Sequence, residues 1–144
     1  MQLNLLLTRL YNFFKSNKKK YVYYPLLMYW FILLGLTSYP TDSLPAFGIG
    51  DKFEHLIAYL VLSIFLYLTF HFQNKYRKLK ENPALYTIII SSFYGIIDEL
   101  HQYYIPGRYC DLLDLASNFV GVLLAVYVVA FFVKSVSQPK ESRS

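Results

Sequence analysis

The stretch YGIIDELHQYYIPGRYCDLLDLASNFVG (residues 94–121) joins the end of one apolar helix to the start of the next. Pro106 and Gly107 interrupt the helical pattern and predict a turn between the two helices. The apolar run on the N-terminal side of this turn begins at Pro83, and the run on its C-terminal side continues to about Val133. Each run has about the 20 residues that a helix needs to cross the hydrocarbon core of a bilayer.

Two further apolar runs precede this pair, at residues 21–39 and 52–72. Hydrophobic residues make up 56% of the 144-residue chain and charged residues 16%, a balance that a soluble domain of this size cannot bury. We therefore predict an all-α fold, a polytopic membrane protein with four transmembrane helices in a bundle. The predicted spans are residues 21–39, 52–72, 83–104 and 112–133, within a transmembrane domain covering 21–133.

The two ends of the chain are predicted to lie outside the bilayer. Residues 1–20 form an interfacial N-terminal segment in which an amphipathic helix over residues 2–14 precedes a run of lysines. This helix is indicated by apolar residues at helical spacing, namely Leu3, Leu6, Leu7, Leu10 and Phe14. Residues 134–144 are predicted to be a polar cytoplasmic tail.

Basic residues predict the orientation of the spans. Of the 14 lysines and arginines, 12 lie before the first span, between the second and third, or after the fourth. Because short cytoplasmic loops carry the excess of basic residues, we expect both termini in the cytoplasm. Only Lys52 and Arg108 fall on the outer side. These short basic runs lie between apolar stretches and not on an amphipathic scaffold, so no nucleic acid partner is predicted.

Acidic residues show the opposite bias, since seven of the nine map to the outer side. Three polar segments are predicted to meet there, because consecutive helices with short loops pack as neighbours. The segments are residues 51–55, residues 98–102, and residues 108–114 with Asn118 one turn further in. Small residues deeper on the last two helices, such as Gly95 and Gly121, indicate that these faces point inward.

Part of this pattern has a structural interpretation. Asp51 and Asp111 are placed as helix N-caps, as Asn82 is for the third span, and Lys52 and Arg108 can act as counter-ions. Asp98 and Glu99 resist this interpretation, because they lie near a helix C-terminus, where the helix dipole disfavours negative charge. Ionisable residues inside a span cost about 2.5–3.5 kcal/mol each on insertion scales, so we predict a functional site.

The residue types suggest roles within that site. Proton transfer is assigned to His55, Asp98 and Glu99, as the catalytic candidates. The predicted substrate-binding residues include two cations for an anionic group such as phosphate; the set is Lys52, Gln102, Arg108, Asp111, Asp114 and Asn118. The sequence has no nucleophilic triad, phosphate loop, dinucleotide fingerprint or fixed-spacing metal motif, so neither a cofactor nor a metal is predicted.

Two stretches resemble the VanZ-like family of small bacterial membrane proteins, DKFEHLIAYL (51–60) and the stretch at 94–121. The matching residues are Asp51, Lys52, His55, Tyr59, Gly95, Asp98, Glu99, Gln102, Pro106, Gly107, Arg108, Asp111, Asp114, Asn118 and Gly121. Glu54 and His101 lie outside the family pattern. The resemblance implies a bacterial membrane protein of a family named for a protein associated with glycopeptide-antibiotic resistance clusters, and it implies no settled reaction.

The expected function is that of a VanZ-like protein of the bacterial inner membrane, surrounded by membrane lipids. Its extracytoplasmic polar site is expected to act on or bind a cell-envelope or lipid-linked molecule, by acid/base chemistry or by polar binding. One alternative is a component that binds or transports cations or protons. The other is a structural or interaction module whose polar network only holds the helices together.

Overall fold

The computed structural model describes residues 2–40 and 50–137, and these residues form helices without any strand. The prediction of an all-α fold is therefore confirmed for this part of the chain. Most of the predicted polar tail, residues 138–144, lies outside the described residues. The elements are α1 (Gln2–Ser16), a π-helical turn (Lys19–Tyr23) that runs directly into α2 (Tyr24–Ser38), α3 (Asp51–Phe72), the short α4 (Arg77–Glu81), α5 (Pro83–Gln102) and α6 (Leu112–Ser137).

Three helical segments are long and apolar enough to cross a membrane, at Lys19–Ser38, Asp51–Phe72 and Leu112–Ser137. The helix α5 is 20 residues long but is not among them. Its last turns carry polar side chains, including Asp98, Glu99 and Gln102, which lower its mean hydropathy. It also ends at Gln102, two residues before the predicted end of the third span, because Tyr103 and Tyr104 already belong to the turn.

The starts of the helices correct one predicted cap and confirm the positions of two. Gly50, with a φ of 81°, is the N-cap of α3, so Asp51 is the first helical residue and not the cap. Asn82 is the N-cap of α5, as predicted, although its side chain makes no capping bond. Asp111 is a true cap, because its Oδ1 atom accepts a hydrogen bond of 2.8 Å from the Leu113 N–H.

The helices α3, α5 and α6 pack against one another around small residues. A Cβ atom on Gly121 would collide with the backbone oxygen of Leu56, so only glycine allows α6 to approach α3 so closely. On α5, Gly95 faces the ring of Tyr59 and Ser91 accepts a 3.0 Å hydrogen bond from Ser63. The prediction that the small-residue faces of α5 and α6 point inward is confirmed, since Gly95 and Gly121 are buried.

The opposite end of the bundle holds α1 against the end of α3. The Tyr11 hydroxyl lies 3.0 Å from His71 Nε2, and Lys18 Nζ donates to the carbonyl oxygen of Phe72 at 2.7 Å. On the other side of α1, Leu3, Leu6 and other apolar side chains stay exposed. An exposed apolar face of this kind suits a helix that lies on a membrane surface.

Candidate functional site

The three polar segments meet at one end of the bundle, where α3 begins and α5 ends; we call this the polar end. Five of its polar or charged side chains are buried: Asp98, Glu99, Gln102, Asp114 and Asn118. Carboxylates are almost never fully buried unless they are paired. The three predicted polar segments therefore lie together.

His55 occupies the centre of the polar end, with a side chain that is 11% exposed. Its Nδ1 atom lies 3.1 Å from Asn118 Oδ1 and 3.7 Å from Glu99 Oε1. Its Nε2 atom faces Asp51 Oδ1 at 3.8 Å and Asp114 Oδ2 at 3.9 Å. The imidazole thus has carboxylates on both sides, contributed by three helices.

Lys52 joins α3 to the start of α6. Its Nζ atom lies 2.5 Å from Asp111 Oδ2, 2.6 Å from Asp114 Oδ1 and 3.6 Å from Asp51 Oδ2. The Lys52 ammonium, with help from the Leu113 N–H, holds the pKa of Asp111 below its ordinary value. Asp111 is also tied to α5, because its backbone N–H donates to Glu99 Oε2 at 3.2 Å.

Arg108 fastens the turn between α5 and α6 to α2. Its Nη1 atom donates to Gln102 Oε1 at 3.1 Å, while Nε and Nη2 donate to the backbone oxygens of Tyr39 and Leu36. Within residues 2–40 and 50–137 it contacts no carboxylate. Both predicted phosphate-binding cations, Lys52 and Arg108, therefore already have partners within the protein.

Asp98 and Glu99 are adjacent in sequence but serve different parts of the site. Asp98 lies on the α3 side, where its Oδ2 atom accepts a 3.1 Å hydrogen bond from the buried Tyr59 hydroxyl. Glu99 faces His55 and Asp111. Tyr59 was not among the predicted site residues, although it follows His55 by four positions on the same helical face. That spacing was the signal that could have identified it.

Four buried polar atoms at the polar end have no hydrogen-bond partner among the described residues. They are Glu99 Oε1, Gln102 Nε2, Asn118 Nδ2 and Asp114 Oδ1, and the last of them still pairs with the Lys52 ammonium at 2.6 Å. Buried polar groups in native proteins are nearly always hydrogen-bonded, so each such atom calls for an explanation. Their concentration in one place is typical of a binding site that a ligand completes.

A groove with a volume of about 320 Å³ runs between α5 and α6 beside the polar end. Its lining is mostly apolar: Ser92, Gly95, Ile96, Leu112, Leu115, Ala116, Asn118, Phe119 and Val122. Its polar members, Ser92 Oγ and Asn118 Nδ2, are buried and have no partner in the described part of the chain. The groove was not predicted from the sequence, because it depends on how two helices pack.

One known protein family matches most of the sequence. The sequence model of the VanZ/LLP1 family matches residues 4–133. A search of curated proteins and a search of solved structures each found no match. The matched range contains every residue of the polar end and of the groove.

Proposed function

The chain belongs to the VanZ/LLP1 family, and from this starting point we propose that its polar end binds the head group of a lipid-linked molecule of the bacterial cell envelope. The observation that carries the proposal is the position of Asn118. Its Oδ1 atom bonds His55 inside the polar end, its Nδ2 atom is buried without a partner beside Gly95, and Asn118 and Gly95 both line the apolar groove. One residue thus belongs both to the polar end and to the apolar groove. This arrangement suits a ligand with a polar head and an apolar chain.

The groove supports this choice of ligand class. Ile96 and Phe119 line it and also belong to the exposed apolar surfaces of α5 and α6. In a membrane these surfaces face hydrocarbon, so a lipid chain enters the groove without leaving an apolar environment. Ser92 Oγ and Asn118 Nδ2 then offer hydrogen bonds to oxygen atoms near the head of the lipid.

The proposal includes α5 as a fourth membrane span. The polar side chains of α5 are buried against the other helices, and its outward face is apolar. The exposed residues of that face are Leu85, Ile89, Phe93, Ile96, Ile97 and Leu100. A helix that hides its polar face within protein can cross a bilayer despite a modest mean hydropathy.

The proposed orientation places the polar end outside the cytoplasm. Of 14 basic residues, 12 lie toward the opposite end of the spans or in the flanking segments, which favours a cytoplasmic location for those parts. The polar end then faces the extracytoplasmic side of the inner membrane, where lipid-linked envelope molecules present their head groups.

Of the two predicted modes of action, the geometry favours polar binding over acid/base chemistry. The imidazole and carboxylate do not form a hydrogen-bonded acid/base pair with each other, because His55 Nδ1 and Glu99 Oε1 are 3.7 Å apart. Asp98 accepts a hydrogen bond from Tyr59, and in this proposal it stabilises the packing of α3 against α5 and does not contact the ligand. Gln102, Asn118 and Glu99 supply the unpartnered atoms that a head group satisfies.

Lipid binding can be tested by filling the groove. In Ala116→Phe, a bulky apolar side chain occupies the groove, whereas the control Val128→Phe adds the same side chain to an exposed position of α6 that does not line it. Both purified proteins and the wild type are incubated with a total lipid extract of bacterial membranes, and with a polyprenyl phosphate. Bound lipid is measured by mass spectrometry after removal of free lipid.

We expect the wild type and Val128→Phe to retain a defined lipid and Ala116→Phe to lose it. If Ala116→Phe retains the same lipid in the same amount, the groove is not the binding site and the proposal is wrong. Retention of bulk phospholipid alone, unaffected by either substitution, would also contradict it.

A further inference from the structure

We propose that Asp51, His55 and Asp114 bind one divalent transition-metal cation, Zn²⁺ or Mn²⁺, at the polar end. No metal was predicted from the sequence, because the three residues match no fixed-spacing motif. The fold brings them together from the first turns of α3 and α6. One ligand atom from each of the three lies within 4.8 Å of the other two.

The distances suit a shared ion. His55 Nε2 lies 3.8 Å from Asp51 Oδ1 and 3.9 Å from Asp114 Oδ2. Bonds of about 2.0–2.2 Å to one ion keep two ligand atoms within roughly 4.4 Å of each other, so both distances already fall inside this limit. They are too long for direct hydrogen bonds, which leaves space between the three atoms.

The orientation of the imidazole points to the same conclusion. The Asn118 Oδ1 atom can only accept a hydrogen bond, so His55 Nδ1 is the donor across their 3.1 Å contact. A neutral imidazole then directs the lone pair of Nε2 toward the two aspartates. Three acceptor atoms that face one another repel unless Nε2 carries a hydrogen or a cation lies between them, and distances of 3.8 and 3.9 Å are too long for hydrogen bonds from Nε2. A histidine ligand held through its other nitrogen is the usual arrangement around protein-bound metals.

Asp114 provides an independent observation. Its side chain is buried, with 4% of the residue exposed. Its Oδ1 atom lies 2.6 Å from Lys52 Nζ, and its Oδ2 atom lies 3.9 Å from His55 Nε2, beyond hydrogen-bond distance. A buried carboxylate is costly without charged partners, and a cation beside Oδ2 adds one.

The charge balance also favours a cation. Four carboxylates surround His55 and Lys52, contributed by Asp51, Glu99, Asp111 and Asp114. Lys52 is the one lysine or arginine that contacts any of them within the described ranges, so the ionised cluster carries an excess of three negative charges. A divalent ion reduces the excess to one.

The ligand set indicates the kind of ion. One imidazole and two carboxylates suit Zn²⁺ or Mn²⁺, whereas Mg²⁺ and Ca²⁺ prefer oxygen ligands alone. The Asp51 side chain is 65% exposed, so the outer coordination positions face solvent and stay open to water or to an anionic group. Through such a position the acidic polar end can bind a phosphate oxygen.

Metal binding is measured on the full chain, purified in detergent and stripped with a chelator. All variants carry Cys110→Ser, because the exposed thiol of Cys110 can bind Zn²⁺ by itself. Calorimetric titration with ZnCl₂, MnCl₂ and CaCl₂ gives affinities, and elemental analysis after desalting gives stoichiometry. We expect one Zn²⁺ per chain, weaker Mn²⁺ and no Ca²⁺ of comparable affinity.

Three variants and one control locate the site. Asp51→Asn lies at an exposed position, where the substitution does not endanger folding. We expect it to lower the Zn²⁺ affinity at least about tenfold, because loss of a residue that only supports a ligand already costs about that much. His55→Gln and Asp114→Asn are expected to abolish binding. The control Glu54→Gln removes a charge from the same turn of α3, where Glu54 has no ion pair among the described residues, and is expected to bind as the wild type does.

Three outcomes would overturn the inference. They are no stoichiometric Zn²⁺ on the wild type, an equal loss in Glu54→Gln and Asp51→Asn, and wild-type affinity in His55→Gln. If His55→Gln or Asp114→Asn fails to fold, Asp51→Asn against Glu54→Gln decides the question alone. Because the probe is the metal itself, the result is independent of whether the groove binds a lipid.

Discussion

His55 Nδ1 lies 3.1 Å from Asn118 Oδ1, across 63 positions of the chain. This bond connects α3 to α6 and fixes which imidazole nitrogen carries hydrogen. It therefore sets the direction of His55 Nε2, on which the proposed metal site depends. The same asparagine lines the groove on which the proposed lipid site depends, and its buried Nδ2 atom has no partner among the described residues.

Replacing Asn118 by alanine should affect both metal affinity and stability. Loss of the Oδ1 acceptor leaves His55 Nδ1 unpaired in a largely buried position, at a cost of about 1–3 kcal/mol in the free energy of unfolding. It also releases the imidazole, which should weaken Zn²⁺ binding about 10–100-fold. The control is Ser117→Ala, whose hydroxyl bonds its own helix at Leu113 and faces away from the site. Unchanged Zn²⁺ affinity in a destabilised Asn118→Ala would show that imidazole orientation is unimportant.

The hydrogen bond between Tyr59 and Asp98 should contribute more to stability than the charge of Asp98 does. Tyr59→Phe removes the donor and leaves a buried carboxylate oxygen unpaired, which we expect to cost about 1–3 kcal/mol. Asp98→Asn keeps an acceptor for the hydroxyl and should melt closer to the wild type. Tyr127→Phe, at an exposed position of α6, serves as the control. Equal melting temperatures for Tyr59→Phe and Tyr127→Phe would contradict a supporting role for the bond.

The close approach of α3 and α6 should depend on Gly121. In Gly121→Ala the new Cβ atom meets the Leu56 backbone oxygen, which cannot move without shifting the helix. Such overpacking typically costs about 1–3 kcal/mol, and it should also separate the two halves of the polar end. Gly35→Ala is the matched control, because a Cβ atom there meets nothing within 4 Å. A lower melting temperature for Gly35→Ala than for Gly121→Ala in detergent would contradict this packing of α3 against α6.

Sequence patterns predicted the helical class and the convergence of the three polar segments, because both follow from the apolar periodicity and the short connections. They did not give the pairing within the polar end. Asp98 and Glu99 were assigned one role, but a helix turns about 100° between neighbours, so their side chains face different partners. Gly50 replaces Asp51 as the cap because its φ of 81° suits glycine. The groove and the metal ligands depend on distances between helices, which spacing along one helix does not contain.

The ion pair between Lys52 and Asp111 predicts a specific pH dependence. The Lys52 ammonium lowers the pKa of Asp111 most, and the Leu113 N–H and the nearby His55 lower it further. A lowered pKa means that this stabilisation is complete above the ordinary carboxyl range and is lost as the pH falls through the pKa of the folded protein. The melting temperature of the wild type should therefore exceed that of Asp111→Asn near neutral pH, and the difference should shrink toward about pH 3.

Asparagine at position 111 can still cap α6, so the comparison of the wild type with Asp111→Asn isolates the effect of the charge. In a Lys52→Gln background, Asp111→Asn should show a smaller effect of pH on the same difference, because the ammonium is gone. A difference that is constant with pH in the wild-type background would mean that Asp111 gains nothing from Lys52.

The topology can be tested with the chain's single cysteine, Cys110, which is exposed in the turn between α5 and α6. The proposed orientation places Cys110 outside the cytoplasm, so a membrane-impermeant maleimide should label it in intact spheroplasts. The comparison is Cys110→Ser with Lys78→Cys, which moves the thiol to an exposed position of α4 at the other end of α5. That protein should be labelled only after permeabilisation, because α4 lies among the basic residues expected in the cytoplasm.

The pair also tests α5 as a span: labelling of both thiols from the same side would show that α5 does not cross. Labelling of Lys78→Cys alone in intact spheroplasts would invert the orientation and place the polar end in the cytoplasm, out of reach of molecules on the outer face.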